Sequence, residues 1–120
     1  MSSFKDLIVY KKAFDLAMQI FEITKSFPKE EKYALIDQIR RSSRSVCANI
    51  AEGYRKRKYP AHFVAKLHDA DMENSETQVW IDFSISCKYM TEEEHNQLLK
   101  ESEEVGKLLN NMINNPDKFI

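Results

Sequence analysis

The chain has 120 residues, of which 42% are apolar and 31% charged, with only two glycines and three prolines. This length suits a single domain, residues 1–120, around one hydrophobic core, and so few glycines and prolines disfavour a turn-rich β architecture. No apolar run approaches the ~20 residues of a membrane span, and the first residues lack the apolar segment of a secretory signal. We therefore expect a helical, cytoplasmic protein with no membrane partner.

Four segments repeat apolar residues every three or four positions, which is the spacing of an amphipathic helix. The predicted helices cover about residues 5–27, 30–57, 60–89 and 91–115. Pro28 and Pro60 mark the first two boundaries, because the residue before a proline avoids the helical conformation. Thr91 and Glu94 have the spacing of a capping box that opens the fourth helix. Such helices with short connectors predict an all-α fold, an antiparallel up-and-down four-helix bundle.

The second predicted helix carries the most informative pattern in the chain. Small residues on it would let a neighbouring helix approach closely, so we expect Gly53 to lie at such a contact despite its cost of about 1 kcal/mol relative to Ala. Its packed face, which we call the seam, repeats at steps of three and four: Ile36, Ile39, Ser43, Val46, Ile50 and Gly53.

The same helix contains the string Q-I-R-R-S-S-R-S-V-C-A-N-I-A-E-G at Gln38–Gly53. This string resembles the signature of a bacterial family of four-helix-bundle proteins encoded in intervening sequences of large-subunit rRNA genes, a family that also includes accessory proteins of diversity-generating retroelements. The likeness extends to Asp6–Ala13, Phe27–Glu31 and Glu76–Trp80. The resemblance implies ring-shaped homopentamers without a settled enzymatic activity, some of them implicated in nucleic-acid binding. The signature residues are Asn49, Ile50, Ala51, Glu52 and Gly53.

Charge is distributed unevenly between the two halves of the chain. Residues 1–59 carry 13 Lys and Arg against 7 Asp and Glu, whereas residues 60–120 carry 5 against 12. A chain of this kind can bind polyanions locally although its net charge is −1, or it can pair with copies of itself. Extra aromatic residues beyond the seam also favour an intersubunit contact: Tyr10, Tyr54 and Trp80.

The sharpest functional signal is a group of seven cations on the second helix, which we call the basic cluster. Cations neutralise phosphates and a neighbouring aromatic residue can stack on an unpaired base, so this group with the adjoining Tyr59 is the candidate RNA- or DNA-binding site. The alternative is that the cations complement the helix dipole and pair with acidic residues of the third or fourth helix, within one subunit or between two. The basic cluster comprises Arg40, Arg41, Arg44, Arg55, Lys56, Arg57 and Lys58.

Two polar signature residues flank the seam at Ile50. We expect Asn49 and Glu52 to bond to a neighbouring helix, with Arg41 or Arg44 as their candidate partners. Polar groups at such sites can fix helix register or oligomeric state. A binding role is the alternative.

No pattern in the chain indicates an enzyme, a metal site or a cofactor. Glu92 and His95 have the Glu-x-x-His spacing of a di-iron bundle, but the required second copy is absent, and Glu92 suits a helix N-terminus. Cys47 and Cys87 lie on different predicted helices without a C-x-x-C spacing, so we interpret both as reduced, buried thiols.

The sequence thus predicts a non-enzymatic, self-assembling four-helix bundle that acts as an accessory or scaffold protein and contacts RNA or DNA through the basic cluster. The alternative is a purely protein–protein assembly module in which the basic cluster serves subunit contacts. The pentameric subunit number is implied by the resemblance alone, and a further protein partner is left open.

Overall fold

The computed structural model describes residues 3–120, and this part of the chain is all-α. The predicted all-α four-helix bundle is confirmed. None of the helices in the described range is both long and apolar enough to cross a membrane. The four helices are α1 (Ile8–Thr24), α2 (Leu35–Arg55), α3 (Pro60–Ser86) and α4 (Glu92–Asn114), with short 3₁₀ turns at Phe4–Asp6, Lys29–Glu31 and Pro116–Phe119.

Consecutive helices run antiparallel, as contacts between α2 and α3 show. Thr77, in the second half of α3, donates a hydrogen bond to Ser42 in the first half of α2 at 2.9 Å. Lys66, near the start of α3, pairs with Glu52 near the end of α2 at 2.8 Å. The α1 and α4 helices also pack on each other. The four helices therefore form a closed up-and-down bundle.

The seam predicted on α2 is buried along its whole length. It connects two clusters of core side chains, one on each half of the bundle. Burial of large apolar side chains of this kind stabilises a fold by about 1.5–3 kcal/mol each. All six seam residues are buried: Ile36, Ile39, Ser43, Val46, Ile50 and Gly53.

A layer of polar side chains lies between the two core clusters. Asn74 of α3 donates to the carbonyl oxygen of Ser102 at 2.9 Å, and the Ser102 hydroxyl donates back to Asn74 Oδ1 at 2.9 Å. Both residues are buried. Because buried polar groups are costly only when they lack partners, this pairing explains how the polar middle of α3 can face the core.

Gly53 lies at a close approach between α2 and α3. A Cβ atom at this position would lie 2.9 Å from Lys66 Cβ and 3.4 Å from the Phe63 carbonyl oxygen. The expected close helix contact at Gly53 is confirmed.

Several helix ends differ from the predicted ones. The α2 helix begins at Leu35 and not at residue 30, because Lys29–Glu31 forms a separate 3₁₀ turn. The α3 helix ends at Ser86, and Lys88 has a positive φ of 63°, which breaks the helix before residue 89. The capping box of Thr91 and Glu94 is confirmed, with both reciprocal hydrogen bonds formed.

The two cysteines occupy different environments. Cys47 is buried as predicted, and burial raises the pKa of its thiol to about 11. Cys87 is exposed, so the prediction of a buried thiol is wrong at this position. The physical reason is that α3 ends at Ser86, and Cys87 lies in the turn beyond the packed helix.

Candidate nucleic-acid interface

The basic cluster divides into cations that bond to other groups of the protein and cations that form no such bond within residues 3–120. Arg40 belongs to the first group, because it joins α2 to α1. Its Nε donates to Thr24 Oγ1 at 2.9 Å and its Nη2 donates to the Phe21 carbonyl oxygen at 3.3 Å. The guanidinium also lies 4.7 Å from the centroid of the Phe21 ring. Arg40 thus stabilises the contact between α1 and α2.

Arg41 is paired with two carboxylates of α3. Its Nη1 lies 3.2 Å from Glu73 Oε2, and its Nη2 donates to Glu76. The hydrogen bond to Glu76, followed by that to Glu73, raises the pKa of Arg41. Arg41 therefore forms ion pairs with acidic residues of α3 within one subunit. Such pairs are what we expect if the basic cluster has a structural role.

Arg57 also has a structural role, at the end of α2. Its guanidinium stacks over the Tyr54 ring at 3.6 Å, and its Nε donates to the Tyr54 carbonyl oxygen at 2.8 Å. Its Nη1 donates to the Phe119 carbonyl oxygen at 3.2 Å. Arg57 therefore fastens the C-terminal turn to the end of α2.

The other four cations have exposed side chains. Within residues 3–120, no hydrogen bond or ion pair joins these side chains to the rest of the protein. Arg44 stands apart, beside α1, with its guanidinium 5.7 Å from the centroid of the Phe21 ring. The remaining three lie together where α2 turns into α3: Arg55, Lys56 and Lys58.

We call this turn, with its two exposed aromatic rings, the α2–α3 corner; it comprises Arg55, Lys56, Lys58, Tyr59 and His62. The Tyr59 side chain is 57% exposed, and its ring centroid lies 6.0 Å from that of His62. The backbone is held by a hydrogen bond from Tyr59 N to the Lys56 carbonyl oxygen at 2.8 Å. The corner therefore presents three cations and an accessible aromatic face on an ordered turn.

The signature residues have structural contacts, though not the predicted ones. Asn49 donates to the carbonyl oxygen and Oγ of Ser45, on its own helix, at 3.0 and 3.2 Å. The expected bond from Asn49 to another helix is therefore wrong, because its side-chain amide bonds one turn back along α2. Glu52 does pair with a neighbouring helix, but its partner is Lys66 of α3 and not Arg41 or Arg44. Ile50 is fully buried and Ala51 half-buried.

His95 has a partner that sequence reasoning missed. Its Nε2 lies 3.0 Å from Asp82 Oδ1, across the contact between α3 and α4. The hydrogen bond to Asp82 raises the pKa of His95, against an opposing effect of burial. The pair could have been predicted from the antiparallel arrangement of the third and fourth helices, because a short connection between them brings residue 82 level with residue 95. Among residues 3–120, no group of three or more His, Cys, Asp and Glu could hold a metal ion.

Comparisons with known proteins agree with the resemblance found in the sequence. The family model described as 23S rRNA-intervening sequence protein matches residues 5–111. The chain is also similar to a protein of unknown function from the S23 ribosomal protein family of Bacteroides thetaiotaomicron, with a TM-score of 0.80 and 33% identity over 88% of this chain and 98% of that chain. The search of curated proteins gave no significant match. The chain belongs to the 23S rRNA-intervening sequence protein family.

Proposed function

We propose that this protein is a non-enzymatic, self-associating accessory or scaffold protein that binds RNA or DNA through the α2–α3 corner. The observation that carries the proposal is the exposure of Arg55, Lys56 and Lys58 beside the exposed ring of Tyr59. Neither the family nor the similar Bacteroides protein has an established activity, so the proposal rests on the chemistry of this surface.

The proposed site is smaller than the basic cluster. Arg40, Arg41 and Arg57 have their donors engaged by neighbouring groups of the protein, and using them for phosphate would weaken the contacts they make. Within the described residues the corner cations form no hydrogen bond or ion pair, and the Nζ of Lys58 lies 5.8 Å from the centroid of the Tyr59 ring. The acid nearest to them along α2, Glu52, is already paired with Lys66. The corner therefore keeps its positive charge for an external anion.

The chemistry of the corner favours single strands. Its cations can neutralise about three phosphates, which on a single strand gives a slope of roughly −2 in a plot of log affinity against log salt. The ring of Tyr59 can stack on an unpaired base, a contact worth ~1–3 kcal/mol. A base within a duplex is stacked on both faces and does not offer this contact.

Self-association would strengthen binding by placing several corners on one particle. A single corner with about three phosphate contacts binds weakly, whereas linked corners act at high effective concentration. Three parts of this proposal come from the sequence alone. They are the ring-shaped pentamer implied by the family resemblance, a link to diversity-generating retroelements and a cytoplasmic location.

The test is binding of a fluorescent 20-nucleotide single-stranded RNA by two variants of equal charge. The corner variant carries Arg55→Gln, Lys56→Gln and Lys58→Gln. The control variant carries Lys11→Gln, Lys100→Gln and Lys107→Gln, three exposed cations on α1 and α4 that do not belong to the corner. We expect the corner variant to lose at least tenfold in affinity and the control variant less than threefold. Equal losses would refute a specific site at the corner.

The alternative function is a purely protein–protein assembly module. One observation favours it: Arg44, an exposed cation of the basic cluster, lines an apolar groove instead of the corner. If this alternative holds, RNA binding by the native protein is absent at 150 mM salt, and replacing Arg44 or the corner cations by Gln dissociates the assembly. If the proposal holds, the corner variant keeps its native mass.

A further inference from the structure

Two separate surfaces of the bundle expose large apolar side chains. The first, which we call the α1–α2 groove, has a volume of about 420 Å³. Its lining includes Tyr10, Phe14, Met18, Arg44, Ala48 and Ala51. The side chains of Phe14 and Met18 are 51% and 44% exposed. Exposed apolar residues that lie together mark interaction surfaces, whereas single ones do not.

The second surface is a line of side chains on α3, which we call the α3 ridge. Met72, Val79 and Phe83 are 70%, 47% and 54% exposed. Their spacings of seven and four residues place them along one face of the helix. This face explains why α3 is apolar on more than its core-facing side.

The charges beside the two surfaces are complementary. Among the described residues lining the α1–α2 groove, the charged one is Arg44. The hollow beside the α3 ridge is lined by Met72 and Val79 together with three acids: Asp69, Glu73 and Glu76. The latter two are engaged by Arg41. Asp69 is exposed and, within residues 3–120, forms no ion pair.

We propose that the α3 ridge of one copy of this chain docks into the α1–α2 groove of a second copy, with Arg44 facing Asp69 of the other copy. This inference rests on the self-association in the proposed function and names its surfaces. The lining of the groove on α1 runs from Tyr10 to Met18, about 12 Å of helix, so it can accept part of the ridge, which runs from Met72 to Phe83 over about 16 Å.

Docking of unlike surfaces has a consequence for the assembly. A copy that uses its ridge on one neighbour keeps its groove for another, so contacts of this kind can propagate around a closed ring. The pairing also agrees in sign with the division of charge along the chain, because the groove belongs to the basic half and the ridge to the acidic half.

The experiment uses two variants that each block one surface. Ala48→Glu places a carboxylate on the exposed floor of the groove, one turn after Arg44, and Val79→Glu places one in the middle of the ridge. Both changes introduce a good helix former at an exposed position, and far-UV circular dichroism checks the fold. Ile8→Glu, at an exposed isoleucine outside both surfaces, is the matched control.

Native mass by light scattering at 50 µM gives the readout. We expect the native protein and Ile8→Glu to be oligomeric and each blocked variant to be a 14.1 kDa monomer. An equimolar mixture of the two blocked variants should give a particle of twice the monomer mass, because one variant retains the ridge and the other retains the groove. A monomeric native protein, an oligomeric blocked variant or a monomeric mixture each overturns the proposal.

A second pair of variants tests the same contact through charge alone. Arg44→Asp and Asp69→Arg should each weaken the assembly at least tenfold, and their mixture should restore it. RNA binding is measured separately on the same proteins, whose corner residues are unchanged. Failure of RNA binding with restored assembly counts against the proposed nucleic-acid function alone, whereas retained binding with unchanged assembly counts against the docking surfaces alone.

Discussion

Arg57 stacks its guanidinium 3.6 Å above the ring of Tyr54 and donates from Nε to the carbonyl oxygen of the same residue at 2.8 Å. Tyr54 is buried, and Arg57 is half-buried between it and the C-terminal turn. In a run of four consecutive cations, this arginine therefore faces the protein while its neighbours face solvent. The role of each of these four cations depends on whether its side chain points toward the protein or toward solvent.

This contrast predicts opposite effects for two neighbouring arginines. Arg57→Gln removes the stacking contact and two hydrogen bonds, which should lower the free energy of unfolding by about 1–2 kcal/mol. Arg55→Gln should change it by less than about 0.5 kcal/mol but reduce RNA affinity. Urea unfolding and RNA titration of both variants check this prediction. An Arg57→Gln protein as stable as the native one would show that these contacts contribute nothing.

Gly53→Ala should destabilise the bundle. Alanine has the higher helix propensity by about 1 kcal/mol, but its Cβ would lie 2.9 Å from Lys66 Cβ, and overpacking of this kind costs ~1–3 kcal/mol. We expect a net loss of about 1 kcal/mol, and a larger loss for Gly53→Val. Chemical denaturation of the series measures it. A Gly53→Ala variant more stable than the native protein would contradict the close contact.

The polar layer between the core clusters gives a further prediction. Asn74→Ala removes two hydrogen bonds with Ser102. The carbonyl oxygen and the hydroxyl of Ser102 then lack Asn74 as a partner. A loss of about 2 kcal/mol is expected from the two buried hydrogen bonds, while Gln78 still donates to the Ser102 hydroxyl. Asn114→Ala, at an exposed position on α4, is the control and should be nearly neutral. Similar unfolding midpoints for the two variants would speak against a structural role of the layer.

The pair of His95 and Asp82 predicts a dependence of stability on pH. Because the hydrogen bond to Asp82 raises the pKa of His95 above 6.5 in the folded protein, the folded state holds the proton more tightly than the unfolded chain. The resulting stabilisation is fully present below about pH 6.5 and is lost as pH rises through the raised pKa. It should amount to less than about 1 kcal/mol, because Asp82 is largely exposed.

The His95→Gln variant provides the check for this pair. Its unfolding free energy should fall below that of the native protein at pH 5.5, and the difference should diminish by pH 8.5. A difference that is the same at both pH values would mean that protonated His95 contributes nothing through Asp82.

The two thiols should react at very different rates. Cys87 is exposed, whereas burial raises the pKa of Cys47 to about 11, and the thiolate is the reactive form. Under native conditions, we expect one thiol per chain to react with an aromatic disulfide reagent within minutes and the second only after unfolding. Mass spectrometry of the labelled protein locates the reacted residue. Equal labelling of both cysteines would contradict the buried position of Cys47.

The features that sequence predicted correctly depend on short-range periodicity. The seam residues from Ile36 to Gly53 follow the helical repeat, and the capping box of Thr91 and Glu94 needs only its own turn. Helix ends were less predictable at Ser86, because the positive φ of Lys88 arises in a turn with no glycine. The exposed position of Cys87 follows from that early end.

The division of the basic cluster could not be predicted from the sequence. Whether Arg41 reaches Glu73 depends on the register between α2 and α3, and the partner of Arg57 lies at Phe119, sixty-two residues away. A count of charges in the sequence does not distinguish Arg41 and Arg57 from Arg55 and Lys58. Three-dimensional packing distinguishes them, because it determines which cations find a partner within their own bundle.

The most direct test of the nucleic-acid proposal is the slope of log affinity against log salt for single-stranded RNA. It compares the native protein with the corner variant, in which Arg55, Lys56 and Lys58 are replaced by Gln, from 50 to 300 mM salt. We expect the native slope to be steeper by about 2 for each corner in contact, with native mass and unfolding midpoint unchanged in the variant. Equal slopes for the two proteins would contradict the proposal and assign the phosphate contacts, if any, to another surface.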